Sequence, residues 1–163
     1  MCKRVWAILV MSIVAAACQQ TAAPPTTTAA VPDVQPITQA AQLVPALAST
    51  DSALFIFYDN PYEGDAERYT RYYKQVGSRA DSALQIVKQA LAIPFVMQNS
   101  LRSCRSEGKI FCFAAGRPVQ TLYFSRQSAA CTHLYLIHEG RYYYWQPGPA
   151  FFEAMDALKP LAR

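Results

Sequence analysis

Apolar and polar residues follow two rhythms between residues 51 and 163, and each rhythm predicts its own kind of element. Residues 53–58 are apolar throughout and end at the turn signal Asp59-Asn60-Pro61, which indicates a short buried strand. Residues 80–91 carry apolar side chains at helical spacing behind a serine cap at Ser78, and Pro94 ends that helix. A second helix begins at Gly148-Pro149 and ends at Pro160. Its expected apolar face consists of Phe151, Phe152, Met155 and Leu158.

The stretch that separates the first strand from the first helix, residues 66–76, is ambiguous. Tyr69, Tyr72, Tyr73 and Val76 fall at helical spacing, yet a run rich in tyrosine and threonine also suits a strand. We favour a helix for this stretch and keep the strand as the alternative.

Four further runs in the C-terminal half predict strands at residues 109–114, 119–125, 132–138 and 141–146. Residues 115–118 join the first pair, and Glu139-Gly140 forms a two-residue hairpin loop in the last pair. Short connections make consecutive strands antiparallel neighbours. The expected fold is therefore α+β: a four-stranded antiparallel meander with helices packed on one face, preceded by a signal peptide and a disordered linker.

Counting register from these turns sorts the side chains of the meander onto two faces. The face expected to form the core carries Phe111, Phe113, Leu122, Phe124, Leu134, Leu136, Tyr143 and Trp145. The opposite face carries Ile110, Tyr123, His133, Tyr135, Ile137, Tyr142 and Tyr144. The same counting places Thr121 beside Tyr135. The second face is aromatic with polar ring edges, which suits a half-exposed surface.

The N-terminus has the layout of a secretory signal peptide. Two cations, Lys3 and Arg4, precede an apolar run over residues 5–14, and Ala15-Ala16-Ala17-Cys18 closes it. This segment resembles the lipobox of bacterial lipoprotein precursors. The resemblance implies that Cys18 receives a diacylglyceryl group, becomes the first residue of the mature chain and is then N-acylated, with palmitate-type chains as the membrane anchor.

Two other interpretations of this segment stay open. Ala15-Ala16-Ala17 also satisfies the A-x-A rule for ordinary signal cleavage, which would release a soluble exported protein. A retained membrane helix is the third interpretation, although residues 5–17 number only 13 against the roughly 20 that span a bilayer. Gln19 follows the cysteine, where an Asp would tend to retain a lipoprotein at the inner membrane, so the resemblance implies the outer membrane.

Composition divides the chain into three parts. Residues 1–17 form the signal peptide, residues 18–50 the lipid anchor with a Pro/Thr/Ala-rich linker, and residues 51–163 a single globular domain. Residues 19–36 hold four prolines and one charge, Asp33, which predicts an extended spacer. Without Lys3 and Arg4 the 15 basic residues become 13, against 11 acidic ones. These basic residues are dispersed, so we expect no nucleic-acid partner.

Motifs for catalysis, for a metal or for a cofactor do not emerge from the sequence. His133 and His138 would point to opposite faces of one strand. Residues 59–65 match the pattern of a calcium-binding loop in part, but Pro61 occupies a ligand position and Thr70 is at the position where a bidentate Glu is needed. We expect a solvated acidic loop there, no metal and no cofactor.

Cysteines are the remaining chemical lead in the body. An exported protein reaches an oxidising compartment, where Cys104, Cys112 and Cys131 could form one bridge. Strand register places Cys104 and Cys131 at the same end of the sheet and Cys112 deeper along its strand. We therefore favour a Cys104–Cys131 disulfide with Cys112 as a buried free thiol, and keep the absence of any bridge as the alternative.

The function expected from these observations is a lipid-anchored cell-envelope protein whose domain binds or scaffolds a protein or small molecule and is not an enzyme. The alternative is an envelope hydrolase whose site is assembled from dispersed residues. The hairpins at residues 109–113 and 134–145 resemble those of small bacterial lipoproteins, a resemblance that carries no information about function. The expected binding face is Tyr123, His133, Tyr135, Tyr142 and Tyr144; the alternative is that residues 37–47 or the strand at residues 53–58 cover this face.

Overall fold

One antiparallel sheet of seven strands organises the part of the chain that the structure, a computed structural model, describes: residues 39–65, 68–79 and 82–163. The strands are β1 (Ser52–Tyr58), β2 (Tyr73–Arg79), β3 (Val96–Gln98), β4 (Gly108–Ala114), β5 (Arg117–Arg126), β6 (Thr132–His138) and β7 (Arg141–Trp145). Their order across the sheet is β2-β1-β4-β5-β6-β7-β3. The helices are α1 (Ala40–Leu43), α2 (Ser82–Leu91) and α3 (Pro149–Leu158). The predicted signal peptide, Cys18 and most of the linker lie outside the described residues.

The predicted four-stranded meander is wrong, because the sheet has seven strands and the domain is mostly β. Strands β4 to β7 do follow one another as neighbours, but β1 pairs with β4 and extends the sheet in its own plane. Strand β2 then pairs with β1, and β3 adds to the far side of β7. Of these added pairings only the β1–β2 hairpin is local in sequence, so the turn signals used to count strands could not reveal the others.

The favoured helix at residues 66–76 is also wrong where the structure describes it, since β2 begins at Tyr73. Six of the seven β2 residues are exposed or partly exposed, and only Ser78 is buried. An edge strand with little burial shows neither the alternation of a half-buried strand nor a true helical stripe. Ser78, the predicted helix cap, lies in β2, and α2 is described from Ser82 onward.

The core lies on one face of the sheet, and β4 presents the opposite residues from those predicted. Ile110 and Cys112 are fully buried in the core cluster, in place of Phe111 and Phe113. The β4–β5 loop contains only two residues, Ala115 and Gly116, both with positive φ. A bulge at Cys112/Phe113 then shifts the ladder. Counting symmetrically from a loop at residues 115–118 predicts Thr121 as the partner of Cys112, but Cys112 pairs with Gln120. A one-residue change of register turns every side chain of a strand to the other face.

The three α-helices and the short 3-10 helix that follows α1, Pro45–Ser49, all pack on this core face. Phe151, Phe152 and Met155 of α3 are buried, as the predicted apolar stripe requires, and Pro149 occupies its first turn. Helix α2 contributes a second buried stripe: Ala83, Leu84, Val87, Ala90 and Leu91. Ala40 and Leu47 belong to the same core cluster. The folded body therefore begins before Asp51, within the segment assigned to the linker.

Candidate functional site

Alternate residues of β5, β6 and β7 bring four tyrosines and a histidine onto the sheet face opposite the helices, which we call the aromatic face. Its members are the predicted residues Tyr123, His133, Tyr135, Tyr142 and Tyr144. Tyr123, Tyr135 and Tyr144 lie side by side across three strands. Counting from the turns predicts Thr121 beside Tyr135, whereas Tyr123 is its partner. A shift of two residues leaves every side chain of a strand on the same face, so the predicted grouping of these residues on one face is still correct.

The rings of this row contact one another directly. The Tyr123 and Tyr135 rings stack with centroids 4.9 Å apart and planes 17° apart, and the centroids of Tyr135 and Tyr144 are separated by 5.2 Å. The His133 ring meets Tyr144 edge to face at 5.1 Å. Such ring pairs stabilise beyond their buried area by about 0.5–1.5 kcal/mol each. The row is therefore a continuous layer of rings in mutual contact.

A loop between β3 and β4, residues 99–107, lies over one half of the aromatic face, and we call it the covering loop. The Arg102 guanidinium sits 4.2 Å from the centre of the Tyr144 ring, and the Arg102 backbone N–H donates to the Tyr144 hydroxyl at 3.0 Å. Ser106 Oγ and the Tyr135 hydroxyl lie 3.3 Å apart. His133, Tyr135 and Tyr144 are consequently only 1%, 6% and 3% exposed.

The aromatic face is thus divided rather than open or closed as a whole. Tyr123 and Tyr142 stay partly exposed beyond the covering loop. The segments expected as a cover lie elsewhere, because β1 pairs within the sheet and α1 packs with the core on the other face. The five residues do not form one accessible patch.

A disulfide ties the covering loop to the sheet. Cys104 is bonded to Cys131, just before β6, with a Cα–Cα distance of 5.6 Å. This is the pair favoured from the sequence. Two further bonds hold the same end: Ser125 Oγ donates to the Arg105 carbonyl at 2.8 Å, and the Arg105 N–H donates to Gln127 Oε1 at 3.2 Å. The loop is consequently fastened at its middle as well as at its ends.

Burial shifts the pKa of His133 in the aromatic face and that of Cys112 in the core. Desolvation lowers the pKa of His133 to about 4, and the positive charge of Arg102 contributes to the same lowering. The Nδ1 atom of His133 has no hydrogen-bond partner in the described part of the chain. Burial alone raises the pKa of the free thiol of Cys112 to about 12, so this cysteine is a thiol and not a nucleophilic thiolate at neutral pH.

Outside the covering loop the same face forms an open depression of about 370 Å³. It is lined by uncharged residues: Pro118, Val119, Gln120, Thr121, Tyr123 and Ile137. Ile137 is 41% exposed at its border, and the Gln120 amide is held by the Ile137 carbonyl, to which it donates at 3.0 Å. This depression offers a stacking ring, an aliphatic contact and polar atoms for hydrogen bonds, without a charged group in its lining.

A cluster of charged residues that no sequence pattern predicts lies at the other end of β5. Glu107 is only 5% exposed and receives two hydrogen bonds from the Arg126 guanidinium, at 2.9 and 3.0 Å. Arg126 also donates to both carboxylate oxygens of Asp156 in α3, and Lys159 Nζ lies 3.7 Å from Glu107. These bonds raise the pKa of Arg126 and lower that of Asp156. The residues are far apart in sequence, so no motif signals them, and their mutual pairing makes the cluster a structural link between sheet and helix.

The acidic loop at residues 59–65 borders an open cleft of about 410 Å³. Arg68 pairs with Asp65 at 3.5 Å, and both side chains are largely exposed. Within the described residues, no group of three or more His, Cys, Asp or Glu side chains is arranged to hold a metal ion.

Comparison of the chain with models of protein families, with curated proteins and with solved structures finds no match. Among the helices of the described residues, none is both long and apolar enough to cross a bilayer.

Proposed function

We propose that this chain is a lipid-anchored protein of the bacterial cell envelope whose folded domain is a non-catalytic binding or scaffolding module. Two independent observations support export. Ala15-Ala16-Ala17-Cys18 resembles a lipobox, and the Cys104–Cys131 disulfide is a bond that persists in oxidising compartments. The lipobox-like segment is the observation that carries the proposed anchor, and the disulfide supports export separately because it comes from the fold and not from the signal segment.

Acyl chains on Cys18 supply the attachment in this proposal. Each buried CH₂ contributes about 0.8 kcal/mol, so one chain holds a protein only marginally and two or three hold it firmly. Gln19 at the position after the anchor supports the outer membrane as the destination. The Pro/Thr/Ala-rich segment that follows would hold the domain away from the lipid surface.

The binding surface in this proposal is the open depression around Tyr123 and Ile137. Its lining contains no histidine, carboxylate, lysine or cysteine, and Tyr123 is its one titratable side chain, whereas histidine is the commonest group in general acid–base catalysis. The buried carboxylate of Glu107 is instead bound by Arg126 and Lys159. A neutral ligand with an aromatic or amide group would stack on Tyr123 and bond to Gln120, so the surface favours binding over the hydrolase alternative.

Fractionation of cells that express matched variants tests the anchor. The wild-type chain should sediment with membranes and carry acyl chains by intact mass, whereas Cys18→Ser should lose both properties. Cys2→Ser, which alters a cysteine in the segment to be removed, is the control and should behave as wild type. Gln19→Asp should move the protein from the outer to the inner membrane. Retention of Cys18→Ser in the membrane fraction with an unchanged N-terminus would contradict the anchor.

Fragment screening by NMR tests the surface. A library of small neutral aromatic and amide fragments should perturb resonances of Tyr123, Gln120 and Ile137, and Tyr123→Ala should abolish those shifts. Tyr72→Ala is the matched control, because Tyr72 is 74% exposed but lines the cleft beside the acidic loop and not this depression. Fragments that bind equally well to both variants, or none that bind to this depression, would refute this surface.

A further inference from the structure

The covering loop is held to the sheet unevenly along its length. Its second part, residues 104–107, is bonded covalently to the sheet through the Cys104–Cys131 disulfide. The backbone N–H of Glu107 donates to the Phe124 carbonyl at 2.7 Å, where β4 begins. The side chains of this part add further hydrogen bonds to β5 and β6. This part of the loop is therefore fixed to the sheet at several points.

Residues 99–103, which we call the flap, connect β3 to this anchored part and are held to the sheet through one residue. Four of the five residues are exposed, and Arg102 is the partly buried exception. The Arg102 N–H donates to the Tyr144 hydroxyl, its guanidinium lies over the Tyr144 ring, and its Nε donates to Gln98 Oε1 at 3.2 Å. Within the described residues, no other hydrogen bond joins the flap to the sheet. The contacts of Arg102 therefore hold the flap closed.

Beneath the flap lies a buried histidine that is able to gain a positive charge. His133 is 1% exposed, and its Nδ1 atom has no hydrogen-bond partner in the described part of the chain. Tyr135 of β6 and Tyr144 of β7 pack against the imidazole with uncharged rings. Ser125 of β5 is its partner in the ladder, and the Ser125 hydroxyl donates to a backbone carbonyl of the covering loop. Arg102 is the one charged group that faces this imidazole.

The other charged side chains of the covering loop are bound elsewhere. The Arg105 guanidinium donates to the Gly64 carbonyl in the acidic loop at 3.4 Å. The Glu107 carboxylate accepts from Arg126. No carboxylate in the part of the chain that the structure describes is therefore placed to neutralise a proton on His133.

A proton on His133 would place two positive charges next to each other under the flap, and like charges at close range repel strongly where water is excluded. Release of Arg102 relieves this repulsion, because the guanidinium then reaches water and water reaches Nδ1 of the imidazole. Opening the flap breaks only the contacts of Arg102, whereas unfolding breaks the whole sheet. The flap therefore yields to the added charge before the fold does.

We propose that the flap is opened by acid: a proton from solvent on His133 drives Arg102 off the Tyr144 ring and uncovers this half of the aromatic face. Tyr135 lies between Tyr123 and Tyr144 in the row of rings, so the uncovered surface continues from the open depression. Acid would thus extend the stacking surface from one ring towards three. As a regulation of binding this inference rests on the proposed function, whereas the opening of the flap does not.

Amide hydrogen exchange, followed by NMR on the folded full chain, separates opening of the flap from unfolding. The pKa of His133 is about 4 under the closed flap and returns to its ordinary 6.5 in water. The ratio of open to closed flap should therefore rise about 50-fold between about pH 7 and about pH 4.5. The protection of the Arg102 amide, corrected for its intrinsic exchange rate, should fall by that factor.

Urea distinguishes the two kinds of opening. Because local opening exposes little surface, about 1 M urea should leave exchange of the Arg102 amide unchanged. The Leu134 amide, in the centre of the sheet between β5 and β7, should exchange only on unfolding. The same urea should accelerate exchange of Leu134 at least about fivefold.

Variants of the histidine and of its cover isolate the switch. His133→Phe and His133→Gln should each abolish the 50-fold change, and the protection of Leu134 verifies that each variant is folded. His138→Gln, at the outer end of the same strand, is the matched control and should keep the change. Tyr144→Phe removes the acceptor of the Arg102 N–H but keeps the ring. It should lower Arg102 protection about fivefold at pH 7 and leave the pH dependence in place.

Benzamide, a neutral aromatic amide at both pH values, tests the extended surface. In NMR titrations it should perturb Tyr123 at about pH 7, and both Tyr123 and Tyr144 at about pH 4.5. With His133→Phe it should perturb Tyr123 alone at either pH. His138→Gln should again behave as wild type.

Arg102 protection that is constant between the two pH values, or that falls equally in His133→Phe, would overturn the flap. Exchange of Arg102 that accelerates in urea as Leu134 does would also overturn it, because the opening would then be global unfolding. Absence of benzamide binding at both pH values, together with the expected exchange of Arg102, would refute the proposed binding surface while the acid-opened flap stands.

Discussion

Replacement of His133 by Phe should remove a specific part of the acid sensitivity of this fold. The His133 imidazole is 1% exposed, packs against the rings of Tyr135 and Tyr144, and faces one charged group, Arg102. In the unfolded chain a histidine titrates near its ordinary pKa of 6.5, whereas in the folded domain burial lowers the pKa to about 4. Between these values the unfolded state binds the extra proton, so the free energy of unfolding falls as the pH falls.

The size of the effect follows from the two pKa values. A shift from 6.5 to about 4 corresponds in full to about 3 kcal/mol, since each pKa unit is about 1.36 kcal/mol. The contribution is fully present above pH 6.5 and is lost progressively down to pH 4. Between about pH 7 and pH 4.5, linkage gives a loss of about 2.5 kcal/mol from this one residue. The Phe side chain keeps the ring contacts and removes the unpartnered Nδ1 atom, so the variant should be close to wild type in stability at neutral pH.

Urea denaturation of wild type and His133→Phe at a series of pH values measures this contribution. The difference between the two unfolding free energies should change by about 2.5 kcal/mol between about pH 7 and pH 4.5, which corresponds to a shift of about 1–2 M in the urea midpoint. His133→Gln repeats the test with a side chain that cannot titrate, in case the larger ring strains the layer. His138→Gln, at the outer end of the same strand, is the control for the loss of a histidine as such. Parallel pH profiles for wild type and both His133 variants would refute the reasoning.

Three further predictions concern the charged cluster, the backbone and the free thiol. Arg126→Met should destabilise the domain by about 2–3 kcal/mol because it leaves the Glu107 carboxylate buried, and adding Glu107→Leu should recover most of that loss in urea denaturation. Gly108→Ala should cost at least about 2 kcal/mol because its Cβ would overlap the Ile56 carbonyl oxygen and lie 2.7 Å from Phe124 Cζ, whereas Gly77→Ala, with open space around it, should stay within about 0.5 kcal/mol of wild type by thermal denaturation. Cys112 should resist iodoacetamide at about pH 8 in the folded protein and react after unfolding, as read by peptide mass; modification of the native protein would show that the site opens.

The parts of the fold that the sequence could predict are those fixed by local signals. The tight loop at Glu139-Gly140 sets the register of β6 and β7: counting outward from it predicts that Tyr135 pairs with Tyr144 and Leu134 with Trp145, and both pairs are present. In β4, by contrast, the bulge at Cys112/Phe113 has no sequence signal and moves the strand by one position. The same pattern that located the strand therefore assigned its two faces the wrong way round.

Contacts between residues far apart in sequence determine the parts of the fold and of the candidate site that local signals do not predict. The aromatic face follows from alternation within β5, β6 and β7, and the sequence grouped its five residues correctly on one side. Its division into covered and open halves depends on Arg102 and Ser106, which reach it from a connection between two other strands. Strand β3 itself has only three residues behind Pro94, too short for a periodic pattern. Pairings of this kind are settled by packing and not by propensity.

The order of the strands has a consequence for how this domain acquires its structure. Strand β2 occupies one edge of the sheet, yet the next strand along the chain, β3, occupies the other. The partner of β3 is β7, which the ribosome makes last of the seven. The uncharged, apolar segment around β3 therefore stays exposed until nearly the whole domain has been synthesised. Pairing β3 with β7 closes a long loop, which has a large cost in chain entropy. We expect this domain to fold slowly for its size and to complete folding only when the hairpin of β6 and β7 docks. Until then the exposed β3 segment is prone to aggregation and needs protection from it.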